Sequence, residues 1–317
     1  MARALVTRRL PAGGLDPLDG LVDLEIIGPK PDDTPYSPSE LLELAPTVEA
    51  IVSLLTDVID EPLLAAGASG RLRIVANVAV GYNNIDIAAA ARHGVLVANT
   101  PGVLDETTAD TAFLLILAAS RLAHEAEDDL RGGRWAGWGI NQYLGLDVHG
   151  ATLGIVGYGR IGRAVARRAR GVEMNVLHHG RTATGEPGYV ADLDELLARC
   201  DIVSLHTPLT AATTHLIDAR RLALMPSHAV LINTARGPVV DEAALADALH
   251  AGRLFAAGVD VYEHEPTVHP RLLTAPRTVL LPHIGSGSRA TRLKMAHLAT
   301  GAVAATLGGD TPTNLVR

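Results

Sequence analysis

Short apolar runs with β-branched residues alternate along the whole chain with stretches whose apolar positions recur at helical spacing. Before residue 100, strands are predicted at 4–7, 24–27, 50–54, 74–78 and 96–98, and helices at 61–66 and 86–93. The segment 28–38, rich in Pro and Asp, reads as a loop. Residues 107–131 read as one long helix, with apolar Phe113, Leu114, Ile116 and Leu117 and small Ala109 and Ala112, suited to bridging two lobes. Beyond residue 150 the alternation resumes. Strands are expected at 172–179, 202–206, 229–233, 256–261 and 279–281, helices at 163–170, 192–199 and 241–251, and a closing helix at 289–307. Such alternation predicts an α/β chain built on doubly wound parallel sheets.

At residues 151–162, ATLGIVGYGRIG, an apolar run leads into G-x-G-x-x-G and then a helical stretch. That is the context a dinucleotide fingerprint requires. Gly157 permits a tight turn, Gly159 lets backbone approach a pyrophosphate, and Gly162 lets the helix pack close to the strand. The free N–H groups of the helix N-terminus attract phosphate. The motif begins near mid-chain, and the tail after about residue 287 is too short for a domain. A discontinuous arrangement follows: residues 1–98 plus 287–317 as a substrate domain, with 99–286 inserted as the dinucleotide domain. Ligands are then expected in a cleft at the carboxyl ends of the strands.

Composition narrows the partners. The chain has 317 residues, a net charge of −8, 48% hydrophobic and 3% aromatic residues. An acidic chain poor in aromatics is a poor nucleic-acid binder. The longest strongly apolar run, 112–120, is too short to span a bilayer, and the N-terminus has no signal-peptide core. A single cysteine, Cys200, excludes an internal disulfide framework and favours a cytoplasmic setting. No metal site is expected.

Candidate chemistry sits after three successive strands. Arg236 lies in NTARGP, Glu265 in GVDVYEHEP and His283 in LLPHIGS. An arginine holds a carboxylate through paired N–H donors. A histidine exchanges a proton with a carbonyl or hydroxyl near neutral pH, and a neighbouring carboxylate orients its ring and favours its charged form. A cation, a carboxylate and an imidazole beside a nicotinamide make a sensible hydride-transfer site.

The chain resembles the D-isomer-specific 2-hydroxyacid dehydrogenase family nearly end to end. The likeness is carried by AVGYNNIDIAAAARHGVLVANTPGVLDETTADTAF (79–113), TLGIVGYGRIGRAVARRARG (152–171), DIVSLHTPLTAATTHLI (201–217), LINTARGPVVDEAAL (231–245), GVDVYEHEP (258–266) and LPHIGS (281–286). The opening VTRRLP and the block NVAVGYNNIDI bring it nearest the glyoxylate/hydroxypyruvate reductase branch. The resemblance implies two Rossmann-like domains and NAD(P)-dependent reduction of a small 2-oxo acid. It assigns substrate binding to Arg236 and to the loop at Val80 and Gly81, acid/base catalysis to His283, and pairing with it to Glu265. Cofactor contacts fall on Thr108, Gly157, Tyr158, Gly159, Arg160, Ile161, Gly162, His206, Thr207, Pro208, Thr234, Ala235, Asp260, His283 and Gly285, with Asp260 facing the carboxamide. In the reductase branch the region of Trp135 and Trp138 reaches a dimer partner's cleft, so a homodimer is expected, with Trp138 on the substrate pocket.

Cofactor choice is read at the end of the second strand of the nucleotide fold. An acid there, roughly 20 residues past the glycines, selects NAD through the ribose 2′-OH. No Asp or Glu occurs between Asn175 and Gly185. Gly180 stands where the family's NAD-specific members carry an acid, followed by Arg181 and Thr182, with His179 before it. An arginine fork attracts a 2′-phosphate, so NADP(H) is expected over NAD(H), which remains possible. The alternatives are phosphoglycerate dehydrogenase, many of which carry a regulatory domain that a chain of this length leaves no room for. Formate dehydrogenase has glutamine where this chain has Glu265, and a dinucleotide-sensing corepressor would share the same three residues.

Overall fold

The computed structural model describes residues 1–21 and 23–316. The chain divides into two compact units, Met1–Leu104 with the chain from Gly287, and Asp105–Ser286.

The first unit is built on five parallel strands. In chain order these elements are β1 (Ala2–Val6), β2 (Leu24–Ile27), α1 (Pro38–Leu44), β3 (Ala50–Ser53), α2 (Glu61–Ser69), β4 (Ile74–Asn77), α3 (Ile87–His93) and β5 (Leu96–Ala98). The strand order is β2-β1-β3-β4-β5. β3 and β4 are buried throughout, which is why three of the four residues in each are apolar in succession. Asp60 and Asp86 cap α2 and α3 by accepting from Leu63 and Ala89 N–H. The helix α1 is additional to the sequence expectation. Ser37 and Glu40 form a capping box at its start, and Pro38 opens it.

The second unit begins where one helix was expected over 107–131. It holds two helices instead, α4 (Asp105–Ser120) and α5 (Ala123–Arg131), with Leu122 between them in the left-handed region at φ 53°. The cause is distant in sequence: the Ser120 carbonyl accepts from Leu146 N–H at 2.7 Å. α4 packs on the sheet of this same unit.

The fingerprint follows as β6 (Thr152–Val156) and α6 (Arg160–Gly171), so the helix starts inside the glycine motif. Then come β7 (Asn175–His179), α7 (Leu193–Arg199), β8 (Ile202–Leu205), α8 (Ala219–Leu224), β9 (Val230–Asn233), α9 (Glu242–His250), β10 (Ala256–Val259), α10 (Pro270–Leu273) and β11 (Thr278–Leu280). All ladders in the six-stranded sheet are parallel, in the order β11-β10-β9-β8-β6-β7. The chain reverses its direction of winding at β6, flanked by β7 and β8. That is the switch point beside which doubly wound sheets bind ligands at the strands' carboxyl ends. One apolar layer, from α4 and α6, covers one face. Another, including Leu196, Cys200 and Leu249, covers the other.

The last helix, α11 (Arg289–Gly308), returns to the first unit. The tail pairs antiparallel with the sheet edge at Ala98–Leu315. Among the described residues no helix is long and apolar enough to cross a membrane.

Candidate active site

The glycines of the fingerprint are fixed by close approach. A side chain on Gly157 (φ 96°) would lie 2.6 Å from the His206 carbonyl, and one on Gly162 would lie 2.3 Å from the Gly157 oxygen. Gly159 differs, since a side chain there would meet nothing within 4 Å. It opens α6 without any side-chain cap, leaving the helix N-terminus available. Arg160 pairs with Asp105 at 3.2 Å, and Ile161 is half-buried. The Tyr158 ring is turned inward, stacked on His178 at 3.8 Å between centroids.

The neighbouring strand exits carry unused polar groups. The Thr207 and Thr234 hydroxyls and His206 Nδ1 are buried without a hydrogen-bond partner among the described residues. Burial holds His206 neutral, with its pKa pushed down to about 4, and its Nε2 lies 2.9 Å from Ser204 Oγ. Pro208 is exposed, and its carbonyl accepts from Thr213. Unsatisfied buried donors and acceptors are rare in native folds, and the backbone of His206 and Thr207 lies against Gly157 of the fingerprint. Together with the uncapped helix they fit a phosphate-bearing dinucleotide.

At the end of β7, Gly180 is half-buried and Arg181 and Thr182 are exposed. No carboxylate among the described residues pairs with Arg181. Of the two acids between β7 and α7, Glu186 is paired with Arg163 and Asp192 caps α7. His179 Nδ1 lies 3.1 Å from the Val190 carbonyl.

Arg236, Glu265 and His283 follow β9, β10 and β11. Arg236 is half-buried, and among the described residues its guanidinium donates to the Ala235 carbonyl alone, at 2.6 Å. Among the described residues no carboxylate comes within ion-pair distance of it. Burial holds its pKa below the ordinary value, while Glu265 pulls the other way. Asn233 braces this loop from both sides, accepting from Ala235 N–H and donating to the Arg236 carbonyl, each at 3.0 Å. Nothing in periodicity singles out that asparagine.

His283 Nδ1 lies 2.8 Å from Glu265 Oε2, and Glu265 Oε1 accepts from Tyr262 N–H at 3.0 Å. Burial would raise the Glu265 carboxyl, but the hydrogen bond and charge of His283, then Tyr262 N–H and Arg236, hold it below its ordinary value. His283 adopts φ 54°, uncommon for a non-glycine residue. The turn is held by Asp260, whose two oxygens accept from Ile284 and Gly285 N–H at 2.7 Å each. Burial pushes the Asp260 carboxyl up against those bonds. A side chain on Gly285 would come 3.5 Å from Thr108 Cγ2, which places Thr108 beside this turn.

In the first unit, the loop after β4 directs its carbonyls inward. Ala79 accepts from Thr100 N–H, Val80 from Asn99 Nδ2 and Gly81 from Asn77 Nδ2, at 2.9, 2.8 and 3.0 Å. The Val80 and Gly81 N–H groups have no acceptor among the described residues. Adjacent free N–H groups of this kind suit an anion. Asn77 and Asn99 are thus braces of this loop, and Asn84 Oδ1 accepts from Asn77 Nδ2 at 3.3 Å.

Trp138 is 81% exposed and Trp135 49%, and Ile140 and Leu144 beside them are also exposed.

Residues 113–285 match the family model for the NAD binding domain of D-isomer specific 2-hydroxyacid dehydrogenases. A glyoxylate reductase of Korarchaeum cryptofilum is 44% identical over 99% of this chain and 95% of its own length. One from Thermococcus litoralis is 41% identical, over 99% and 96%. The chain belongs to the D-isomer specific 2-hydroxyacid dehydrogenase family. Within it, the similarity falls with the glyoxylate reductases. The chain is therefore an NAD(P)-dependent oxidoreductase acting on CH–OH donors, and its reaction is reduction of a small 2-oxo acid. Among solved structures, a Thermus thermophilus protein superposes with a TM-score of 0.93 at 41% identity, covering 99% of this chain and 100% of that one. The NADPH-dependent glyoxylate/hydroxypyruvate reductase of Sinorhizobium meliloti, in complex with NADP and malonate, gives a TM-score of 0.87 at 34% identity, over 99% and 96%.

Proposed function

We propose that the protein reduces glyoxylate or hydroxypyruvate to the D-2-hydroxy acid with NADPH, using His283 as the acid/base. The observation that carries this reading is the His283–Glu265 pair at 2.8 Å on strand exits neighbouring the unpaired guanidinium of Arg236.

The glycine turn, Thr207 and Thr234 would hold a nicotinamide dinucleotide, which when bound would supply hydride for the carbonyl carbon. Arg236 holds the substrate's carboxylate and carbonyl oxygen, and its fixed charge stabilises the negative charge that develops there. His283 Nε2 delivers a proton to that oxygen, completing the hydroxyl, and solvent restores the proton afterwards. Glu265 keeps Nδ1 protonated and the ring aimed. Asp260 holds the turn that presents the ring. We assign anion capture on the first unit to the N–H groups of Val80 and Gly81.

NADPH preference is supported by Arg181, which is exposed and, among the described residues, has no acidic neighbour in hydrogen-bond reach. A homodimer is supported by the exposed apolar side chains around Trp138, a cluster of the kind that marks interfaces. On this reading Trp138 belongs to the substrate site across that interface. A single buried cysteine supports a cytoplasmic setting. Sedimentation of native protein and Trp138→Asp tests the dimer: the native chain should sediment as a dimer and the variant lighter, and a monomeric native chain refutes it.

A further inference from the structure

The loop that carries Glu265 is gripped by two carboxylates that the reaction above does not use. Glu242 opens α9 and is buried. Its Oε2 accepts from Glu263 N–H at 3.0 Å, and its Oε1 accepts from His269 N–H at 2.7 Å. Glu263 returns the contact: its Oε1 accepts from Glu242 N–H at 2.7 Å. Each glutamate thus binds the other's backbone. The second oxygen of Glu263 meets His215 Nε2 at 3.0 Å.

This exchange joins two of the strand exits. Glu242 lies just past the Arg236 turn, separated from it by a short 3-10 turn at Gly237–Val239. Glu263 lies two residues before Glu265, and the N–H of Tyr262, the residue just before Glu263, donates to Glu265. The two loops also touch directly, since a side chain on Gly237 would fall 1.9 Å from the Tyr262 carbonyl carbon. His215, whose pKa is raised chiefly by its bond to Glu263, is itself anchored to the Arg236 side through its N–H on the Pro238 carbonyl. A slip along this seam moves the guanidinium relative to the imidazole's partner.

We propose that Glu242 and Glu263 are positioning residues, whose reciprocal exchange fixes Arg236 against the Glu265–His283 pair. This rests on the catalytic roles proposed above. The geometry makes the two glutamates unequal. Both oxygens of Glu242 accept from backbone N–H groups, so an amide there turns one acceptor into a donor facing a donor. Only one oxygen of Glu263 does so. Its other oxygen faces an imidazole nitrogen, which can accept from an amide. Glutamine should therefore substitute at 263 and fail at 242.

The test uses full-length Glu242→Gln, Glu263→Gln and Glu263→Ala, each assayed with glyoxylate and NADPH after the native rate is established. The expected kcat of Glu242→Gln and Glu263→Ala falls on the order of 10- to 100-fold, as for a misplacement of about an ångström. NADPH affinity, read by nucleotide fluorescence, should change less than about threefold, because the fingerprint lies on other strands. Glu263→Gln should recover about tenfold of the loss, the size of one hydrogen bond to a charged group. Equal kcat in all variants, or equal harm from glutamine at both positions, overturns the proposal. The imidazole NMR signals of His283, assigned with His283→Gln, give a readout independent of turnover. They should shift in Glu242→Gln and Glu263→Ala and stay near native in Glu263→Gln, and unshifted signals in every variant overturn it. A native enzyme inert toward every 2-oxo acid would refute the function, while these signals would still decide the clamp.

Discussion

Replacing Glu265 by glutamine changes almost no volume and removes one charge. Glu265 Oε1 takes Tyr262 N–H at 3.0 Å and Oε2 meets His283 Nδ1 at 2.8 Å. The amide carbonyl can keep the backbone bond, so the amide nitrogen is left facing Nδ1. Two donors then oppose each other whenever the ring is charged. A hydrogen bond to a charged group contributes about 1.5–3 kcal/mol, which converts to a loss of roughly 10- to 150-fold in kcat. The same exchange has a signature in stability. The native Glu265 carboxyl is held below its ordinary value of 4.5. A lowered native value stabilises the fold fully above the ordinary one, and that contribution is lost as pH falls through the lower native value. Urea unfolding should show native protein more stable than Glu265→Gln above pH 4.5, with the two curves converging below it. Steady-state reduction of glyoxylate, followed by loss of reduced-nicotinamide absorbance, gives the rates. A variant with kcat within about twofold of native, well under the effect of one such bond, would show that Glu265 does not act on His283.

Three further outcomes follow from single positions. Arg181→Ala should cut the preference for NADPH over NADH by roughly 10- to 100-fold, the scale of one charge-assisted contact, measured as the ratio of kcat/KM values. Gly237→Ala places a methyl group 1.9 Å from Tyr262 backbone, so it should lower stability by at least about 3 kcal/mol, checked by chemical denaturation. The Cys200 thiol is fully buried and its pKa is pushed up to about 12 by burial, so it should resist alkylation in native protein and react on unfolding, as mass spectrometry would show.

The fold was legible where burial is symmetrical. β3, β4, β8 and β9 are buried on every residue, so each appears as a mostly apolar run with a single buried Ser or Asn. The break after Ser120 was not legible, because it is made by Leu146 from another segment and not by a Pro or Gly. α1 was missed because it is short, although Ser37 and Glu40 spelled its capping box. Strand order was likewise beyond periodicity, which gives no information on which parallel neighbours pair.

In the candidate site, Arg236, Glu265 and His283 could be placed at strand exits from hydrophobic patterning alone. Their supports could not. Asn233, Asp260, Glu242 and Glu263 act through backbone groups that only the folded turns bring within reach. In sequence they look like ordinary strand-end, loop and helix-start residues.

The most direct test is the rate of reduced-cofactor oxidation by purified protein with glyoxylate, hydroxypyruvate, pyruvate and bulkier 2-oxo acids, each with NADPH and with NADH. Turnover of glyoxylate or hydroxypyruvate that is faster with NADPH is the predicted result. No turnover with any 2-oxo acid, or a consistent preference for NADH, would contradict it.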